Sequence, residues 1–595
     1  MIPVSPHSFH IPVMGLAFTV DSPVKVARYG ISSVISIGED RLIEMMRKHY
    51  YNVIGETYNA ITKNDPEYRS KRICDYLNLI NRIVHQQIEK VRSAAFEKGS
   101  EIVKYFEMLP ESSRLKQLYT SMMHTLNPNE KASIQAFLRS QIVAGSIDVN
   151  IMTKLDRDDF DQRGLKTGKD SEAITALRGY ADSDLTNSSI VFSAGMNPRL
   201  FSYMEQCTAF DADEKGRFNK KVIIKVSDYR SALIQGKFLA KKGIWVSEYR
   251  IESGLNCGGH AFATDGQLLG TILEEFKHRR NELYSACIDL YREALKAKNL
   301  SLPPDPAPVK FTVQGGVGSS QEHMFLLKEY DISSVGWGTP FLLVPEATTV
   351  DTETLEQLRA AQKQDVVLSR NSPLGVRFHY LKNTSAEKQK QEKIAAGKPG
   401  TFCTEKHLAF NTEFTEEPIC TASVEYQRMK LAQLDSLNLD PAEYQRQANL
   451  VTEKDCLCVG LSNSASLLYN ESFLNNRKEV NVCPGPNIAY FDKVVTLQTM
   501  VDHIYGRRNI ISAKNRPHMF IKELELYVDH LIEMHQELHE GNNTARKKKD
   551  IESFKKNLFN GILYYRALQF MPSSFYEGLN EQESRALAVE SLLEA

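Results

Sequence analysis

The sequence predicts an α/β protein built on a parallel (β/α)₈ barrel. Short apolar segments that end at glycine or at a polar residue alternate with amphipathic helical segments, which is the pattern of repeated strand–helix units. Two glycine-rich turns follow the last two of these apolar segments, where parallel barrels usually bind phosphate. The number of strands alone does not separate a closed barrel from an open sheet, but this arrangement favours the barrel.

The strand–helix alternation occurs in two parts of the chain, which we assign to the barrel as residues 1–50 and 144–350. The first part has an apolar run at Ile11–Leu16, a short helix at Val24–Tyr29 and a buried-type strand at Ile31–Ile37. The predicted strands of the second part are Asp148–Met152, Ser189–Phe192, Val222–Val226, Ile244–Ser247, Phe311–Gln314 and Ser334–Gly336.

Two further regions lie outside this pattern. Residues 51–143 are predicted to be a helical insertion, because apolar residues such as Ile80, Ile83 and Val84 recur there at helical spacing. Residues 351–595 form a C-terminal extension that is predicted to be mainly helical and carries five of the nine cysteines. Its clearest predicted helices are Pro517–Glu540 and Lys549–Leu568.

The composition excludes several classes of protein. A chain of 595 residues is too long for one hydrophobic core. The 73 basic and 74 acidic residues give a net charge of −1, which offers no global field to attract nucleic acid or an anionic membrane. No apolar run approaches the roughly 20 residues that span a bilayer. The segment Met1–Pro12 lacks the pattern of a secretory signal, so we expect a cytoplasmic protein with reduced cysteines.

The two glycine-rich turns are the first candidate site. One contains Gly315, Gly316 and Gly318, and the other contains Gly336, Gly338 and Thr339. Glycine lets backbone N–H groups approach an anion closely, and a following helix N-terminus adds a favourable dipole. Either turn alone would more often serve tight backbone geometry. Two such turns in succession favour a phosphate site.

A third glycine-rich segment, Gly258-Gly259-His260, also follows a predicted strand. A lone histidine is more often structural than functional. A histidine fixed by two glycines at a strand end is nevertheless a candidate acid or hydrogen-bond donor.

Together these motifs resemble the FMN-binding family of nitronate monooxygenases and flavin-dependent enoyl reductases. Gly254–His260 is similar to the family's Ser-Gly-Gly-His segment, Asp148–Met152 to its Val-Asn-Ile-Met strand and Ala194–Pro198 to its Gly-Asn-Pro turn. The two glycine-rich turns match its phosphate motifs. All five occur in the family's order, which is more specific than any single motif.

The resemblance implies FMN bound noncovalently at the barrel mouth. It places the phosphate on the two glycine-rich turns, Asn150 and the Gly258–Gly259 backbone against the isoalloxazine, and His260 on the substrate side. Lys225 is a candidate partner of the flavin pyrimidine edge, with a surface lysine as an equal alternative. The residues so assigned to FMN are Gly15, Asn150, Lys225, Gly258, Gly259, Gly316, Gly318, Gly338 and Thr339.

The chain also departs from the family pattern. Asn256 replaces a glutamate and Cys257 replaces a serine or alanine, which alters the substrate face. Nitronate oxidation therefore does not carry over directly. The long C-terminal extension is closer to the layout of the enoyl reductases of polyunsaturated fatty acid and polyketide synthases.

The leading functional prediction is reduction of an activated double bond, as in an acyl thioester, with NAD(P)H as electron donor. His260 would stabilise the enolate or supply a proton. A nitronate monooxygenase-like oxidation is the alternative within enzymes. A barrel without redox activity, which serves as an assembly module, is the alternative outside them. The helical segments 66–140 and 517–568 provide surface for homo-oligomer contacts.

The cysteines of the C-terminal extension allow two interpretations. Cys420, Cys456, Cys458 and Cys483, with Cys403 as a spare, would suit an iron–sulfur cluster or zinc. Their spacing fits no standard Cys-x-x-Cys pattern. Free cysteines are also among the most buried residue types, so simple packing is the alternative.

Overall fold

The computed structural model describes residues 5–594 except 153–155, 161–165, 194, 301, 303, 305–307, 475–476, 540–543 and 570. Ala194 of the predicted Gly-Asn-Pro-like turn and Glu540 at the end of a predicted helix therefore lie outside the described residues. The strands are β1 (Phe9–Ile11), β2 (Ser32–Ser36), β3 (Ile147–Ile151), β4 (Asp158–Phe160), β5 (Lys166–Ser171), β6 (Ser188–Phe192), β7 (Lys220–Val226), β8 (Val246–Glu252), β9 (His260–Ala261), β10 (Lys310–Gln314), β11 (Ser334–Gly336), β12 (Val366–Ser369) and β13 (Arg377–Leu381).

Helices occupy most of the remaining chain. They are α1 (Ser22–Val26), α2 (Asp40–Ile54), α3 (Tyr68–Ser93), α4 (Glu101–Met108), α5 (Arg114–His124), α6 (Pro128–Ser140), α7 (Glu172–Ala181), α8 (Pro198–Met204), α9 (Tyr229–Ala240), α10 (Leu269–Ala297), α11 (Ser320–Glu329), α12 (Thr352–Ala360), α13 (Ser385–Ala395), α14 (Val424–Ser436), α15 (Pro441–Thr452), α16 (Leu457–Gly460), α17 (Asn463–Tyr469), α18 (Leu497–Ile504), α19 (Met519–His539), α20 (Ala545–Ala567) and α21 (Ser573–Glu594).

Eight parallel strands close into a barrel, in the order β1–β11–β10–β8–β7–β6–β3–β2. Closure depends on the short strand β1, which pairs with β11 on one side and with β2 on the other. His10 is in register with both Gly336 and Ser32. The mixed α/β architecture with a closed parallel barrel confirms the predicted fold class at this level.

The interior of the barrel is apolar at its middle and polar towards its ends. Val34, Val191 and Ile223 form a small buried cluster of their own, separate from the large core between strands and helices. Because side chains alternate along a strand, Lys221 and Lys225 face the same side as Ile223. These lysines flank the apolar layer.

Two predicted strands differ from the observed ones. The first was expected at Ile11–Leu16, whereas β1 ends at Ile11, because Pro12 has no N–H to continue a ladder. The other was expected at Ile244–Ser247, whereas β8 is Val246–Glu252. Glu248, Arg250 and Glu252 alternate along β8 and face the barrel interior. A search for apolar segments therefore places this strand wrongly.

Between β2 and β3 the regular structure consists of helices, and after β11 the described residues contain helices, loops and two strands that the sequence did not predict. These strands, β12 and β13, form an antiparallel sheet with β9. His260 of β9 is in register with Phe378 of β13. The segment that carries His260 is thus hydrogen-bonded to the C-terminal part of the chain.

Other contacts also join the C-terminal part to the barrel mouth. The Ala17 N–H donates to the Leu461 carbonyl at 3.0 Å. The Gly485 N–H donates to the Thr339 hydroxyl at 3.1 Å. Loops that follow the barrel strands are therefore held by residues far along the chain. No helix in the described part of the chain combines the length and the hydrophobicity needed to span a lipid bilayer.

Glu523 on α19 anchors the segment that follows β8. It accepts hydrogen bonds from the Ser253 hydroxyl at 2.6 Å, the Leu269 N–H at 2.8 Å and the Tyr565 hydroxyl at 3.2 Å. Burial raises the pKa of Glu523 to about 7, although these hydrogen bonds oppose the shift. The carboxyl group therefore binds its proton more tightly in the folded chain than in the unfolded chain.

Replacing Glu523 with glutamine should flatten the dependence of stability on pH. In the wild type the unfolded carboxyl group ionises near pH 4.5 and the folded one near pH 7. The free energy of unfolding should therefore fall across that window by about 3 kcal/mol. Glu523→Gln has no such ionisation and should lose this slope, as measured by urea midpoints from pH 4.5 to 8. The control Glu525→Gln, on the same helix, should keep the slope. A slope that persists in Glu523→Gln contradicts the assignment.

Candidate functional site

Two adjoining cavities lie at the carboxyl-terminal mouth of the barrel. The first cavity has a volume of about 360 Å³ and the second about 130 Å³. The volume of the first cavity falls within the range typical of small-molecule sites. The residues that wall both cavities are Val13, Gly15, Lys225, Glu252, Cys257, Gly258, Gly259 and Cys483. A ligand could therefore extend from one into the other.

The two glycine-rich turns wall the second cavity. Gly316 comes from the turn after β10, and Gly338 and Thr339 come from the turn after β11. Gly259 has a φ of 79°, and a Cβ atom there would meet nothing within 4 Å. Its backbone therefore faces open space in a conformation that favours glycine. Of the predicted FMN-binding residues, those that wall the second cavity are Gly15, Lys225, Gly258, Gly259, Gly316, Gly338 and Thr339.

Gly318 lies outside both cavities. Its N–H donates to the Glu322 carboxylate at 2.9 Å, and the same carboxylate caps the N-terminus of α11. Arg516 forms an ion pair with Glu322 at 2.8 Å and donates to the Gly316 carbonyl at 2.8 Å. An internal carboxylate thus already occupies the anion position at this helix. A phosphate would have to rest on Gly316 and on the turn after β11 instead.

Lys225 reaches the mouth from the end of β7. Its ammonium lies 3.1 Å from a carboxylate oxygen of Glu252, at the end of β8. The Gln314 amide donates to the same oxygen at 2.5 Å. Lys225 and Glu252 wall both cavities, and Gln314 walls the second. The alternative of a surface lysine is wrong, because only 14% of the Lys225 side chain is exposed.

Four buried side-chain oxygens at or beneath this mouth have no hydrogen-bond partner within the described residues. They belong to Ser36, Asn150, Asn256 and Gln314. Ser36 and Asn150 are in register on adjacent strands, are buried beneath the mouth and wall neither cavity. Asn256 and Gln314 wall the second cavity. Buried polar atoms are rarely left unpaired, so these two acceptors fit a polar ligand bound there.

His260 walls the first cavity. Its Nε2 lies 2.7 Å from the Ser372 hydroxyl, and its ring packs edge-on against Phe378 with ring centres 4.9 Å apart. Both contacts come from the C-terminal part of the chain. They fix the direction of the imidazole, as a proton donor to a ligand requires.

A second histidine, His407, walls the same cavity and was not predicted. Its Nε2 lies 2.9 Å from Glu39, and its Nδ1 lies 3.7 Å from Glu172. Burial alone would lower the pKa of His407, but its interactions with Glu172 and Glu39 raise it to about 9. The ring is therefore an imidazolium at neutral pH. Arg69 adds a further cationic group to this wall.

The predicted metal ligands do not form a metal-ligand group in the structure. Cys483 walls both cavities, and Cys458 walls the first. The neighbouring Cys420 thiol lowers the pKa of Cys403 to about 7, whereas burial raises the pKa of Cys456 to about 11. Among the described residues, no three cysteine sulfurs lie within 4.8 Å of one another. Metal binding by Cys420, Cys456, Cys458 and Cys483 therefore stays a prediction.

The mouth of the barrel fits FMN. The second cavity offers glycine backbone for a phosphate and the Gln314 oxygen for a hydroxyl of the ribityl chain. The Gly258–Gly259 backbone lies between the two cavities, where a flat ring could cover it. Lys225 supplies a cation beside that position.

Sequence reasoning missed Glu252 and His407 for different reasons. Glu252 continues the alternation of Glu248 and Arg250 along β8, so the spacing by two was a usable signal. His407 lies in a loop, and its carboxylate partners come from segments far away in the sequence. No local pattern indicates such a residue.

No known family model and no curated protein matches this chain. The family resemblance of its motifs therefore stays a prediction.

Replacing Arg516 with methionine should destabilise the protein by about 3–5 kcal/mol, because Glu322 would remain buried without a counter-charge. The double variant Arg516→Met/Glu322→Gln should be more stable than the sum of the single effects predicts. Urea denaturation of the four proteins in this cycle measures the coupling. The exposed Arg508→Met is the control and should change stability by less than about 0.5 kcal/mol. Additive effects would contradict the proposed pairing.

Proposed function

We propose that this protein is an FMN-dependent oxidoreductase that reduces an activated, enoyl-type double bond. The observation that best supports the proposal is the convergence of three features at one barrel mouth. These are the glycine backbone of two turns, the Lys225–Glu252 pair and buried acceptors without partners. FMN, when bound, would supply the hydride that the amino-acid side chains cannot provide.

The second cavity would hold the phosphate and the ribityl chain. Gly316, Gly338 and Thr339 would bind the phosphate through backbone groups. Gln314 would accept a hydrogen bond from a ribityl hydroxyl through its unpaired oxygen. Lys225 would lie beside the ring edge, where a cation stabilises negative charge. Glu252 holds Lys225 in that position through their ion pair.

The first cavity would hold the substrate. Its apolar walls, which include Phe262, Leu374 and Leu408, suit an acyl chain. His260 would donate a proton or a hydrogen bond to the carbonyl end of an acyl thioester, because it walls this cavity and Ser372 orients its ring. His407 would provide positive charge at the same wall. NAD(P)H would reduce the flavin from the first cavity, because the sequence has no fingerprint of a separate nucleotide-binding domain.

The first test is flavin binding. Apoprotein titrated with FMN should bind one equivalent, measured by quenching of flavin fluorescence and by size-exclusion chromatography. Lys225→Met should raise the Kd at least about 10-fold, because a partly desolvated charge-assisted contact contributes 1.5–3 kcal/mol. The exposed Lys215→Met is the control and should bind as the wild type does. Absence of FMN binding by the wild type would overturn the proposal.

The two histidines that wall the first cavity, His260 and His407, allow a matched test of the proton-donor role. His260→Gln should lower kcat for an enoyl thioester about 100-fold, since a general acid contributes that much, and should leave FMN content unchanged. His407→Gln should have the smaller effect. The measurement is anaerobic NAD(P)H oxidation that depends on the thioester.

Two results would contradict these assignments. A loss of turnover in His407→Gln, but not in His260→Gln, would transfer the proton-donor role to His407. Oxygen consumption driven by an alkyl nitronate, without activity on the thioester, would replace reduction of a double bond with nitronate oxidation.

A further inference from the structure

Two buried glutamates and a histidine come together at the wall of the first cavity. Glu39 and Glu405 are both buried, and His407 walls the cavity. One carboxylate oxygen from each glutamate and one ring nitrogen of the histidine all lie within 4.8 Å of one another. Within this group, His407 Nε2 lies 2.9 Å from Glu39 Oε2. We refer to Glu39, Glu405 and His407 as the carboxylate–histidine group.

The three side chains are positioned by two distant parts of the chain. Glu39 precedes α2, and its Oε1 accepts a hydrogen bond from the Arg41 N–H at 3.0 Å, which caps the helix. This contact leaves Oε2 beside His407. Glu405 and His407 flank Lys406, whose φ of 57° is rarely adopted by residues other than glycine. The fold thus brings an N-terminal carboxylate against two residues of the C-terminal part of the chain.

One Glu405 oxygen gives an independent indication of a ligand. Glu405 is 8% exposed, and its Oε1 forms no hydrogen bond within the described residues. Arg41 lies 3.3 Å from that oxygen, but outside hydrogen-bonding geometry. Burial and the nearby charge of Glu39 raise the pKa of Glu405, because two buried carboxylates at this distance repel each other. A cation between them would satisfy the unpaired oxygen and remove the repulsion.

The histidine has the surroundings of a metal ligand. Its Nε2 faces Glu39, whereas Glu172 lies 3.7 Å from Nδ1. Metal-bound histidines usually have a carboxylate near the ring nitrogen that does not bind the metal, and this carboxylate orients the ring. Arg157 in turn holds Glu172 through two hydrogen bonds, at 3.0 and 2.8 Å. Glu172 is therefore a positioning residue for the ring and not a further ligand.

The donor atoms of the carboxylate–histidine group indicate the kind of ion. Calcium and magnesium are bound through oxygen, whereas an imidazole nitrogen favours zinc and other divalent transition metals. Ligand atoms on one tetrahedral zinc ion lie about 3.3 Å apart, because each bond is about 2.0–2.1 Å. The limit of 4.8 Å therefore requires movements of about 1.5 Å at most, which side-chain rotations supply. Three protein ligands leave a further position for water or another ligand, as in catalytic zinc sites.

We infer that the carboxylate–histidine group binds a divalent transition metal ion of the zinc type. Only neutral imidazole coordinates a metal, so the ion would replace the proton between Nε2 of His407 and Glu39. The bound ion would then supply the positive charge that the protonated ring otherwise supplies at this wall. The inference goes beyond the proposed function and does not rest on it, because none of the three ligands is assigned to FMN.

The test uses the full-length protein, freed of metal by a chelator and titrated with Co²⁺ as a spectroscopic substitute for zinc. We expect one ion per chain, with the visible absorption of cobalt bound by nitrogen and oxygen, and displacement of this ion by Zn²⁺. Binding by cysteine would instead add strong thiolate-to-cobalt absorption in the near ultraviolet. Failure to bind Co²⁺, or a spectrum dominated by thiolate absorption, would overturn the inference.

Variants of the three ligands then locate the ion. Glu39→Gln, Glu405→Gln and His407→Gln should each weaken Co²⁺ binding at least about 100-fold, since loss of a residue behind a ligand already costs about 10–100-fold. The exposed Glu417→Gln is the control and should bind as the wild type does. Urea midpoints show whether each variant is folded. Wild-type affinity in folded Glu405→Gln and His407→Gln would contradict the assignment, because the ion would then bind elsewhere.

Two neighbouring residues provide variants with opposite expected results. Glu172→Gln should weaken binding about 10-fold, because it loosens the ring without removing a ligand. Arg41→Met removes the cation beside Glu405 and should bind Co²⁺ at least as tightly as the wild type. Weaker binding by Arg41→Met would contradict a cation site at Glu405. Flavin content is measured in the same samples, so that failure of the metal site and failure of FMN binding are recorded separately.

Discussion

The pairing of β1 with both β11 and β2 is the interaction on which the rest of this structure depends. It closes the barrel with a strand of only three residues, Phe9–Ile11. Because all eight strands are parallel, closure brings every carboxyl-terminal strand end to one mouth. Parallel pairing of the neighbouring strands β7, β8, β10 and β11 brings Lys225, Glu252 and the two glycine-rich turns together, and closure adds the loop after β1. An open sheet would separate β1 from β11 and leave the second cavity without the wall that Pro12 and Gly338 share.

The C-terminal part of the chain completes the mouth. β13 pairs with β9 beside His260, Leu461 holds the loop after β1, and Gly485 contacts Thr339. Active-site loops are usually the least constrained part of a barrel. Here they are held by hydrogen bonds to distant residues, which reduces the entropy that a ligand must remove on binding. This also explains how the first cavity can include both Lys225 from the barrel and His407 from the second half of the chain.

The sequence predicted those features whose signal is local. Outward-facing apolar strands such as Ser188–Phe192 and the two glycine-rich turns have patterns that a few residues define. The strand Val246–Glu252 was predicted too early, because its inward side is charged and its pattern is not that of a buried strand. The place of His407 beside Glu39 and Glu172 depends on contacts between segments distant in sequence. Spacing along the chain carries no information about such contacts until the chain is folded.

The distribution of satisfied and unsatisfied polar groups indicates where a ligand belongs. At the first glycine-rich turn, Glu322 and Arg516 neutralise each other and occupy the N-terminus of α11. The charges at that end of the site are therefore balanced without a bound anion. At the second cavity, Asn256 and Gln314 each retain a buried oxygen without a partner in the described residues. An unpaired buried polar atom costs about 1–3 kcal/mol, so the pair would be a substantial cost for a purely structural barrel. A hydroxyl-rich ligand would satisfy these acceptors, whereas an apolar scaffold role would leave the cost in place. The hydrogen-bonding pattern therefore favours a site for a polar ligand near β10 and the turn after β11.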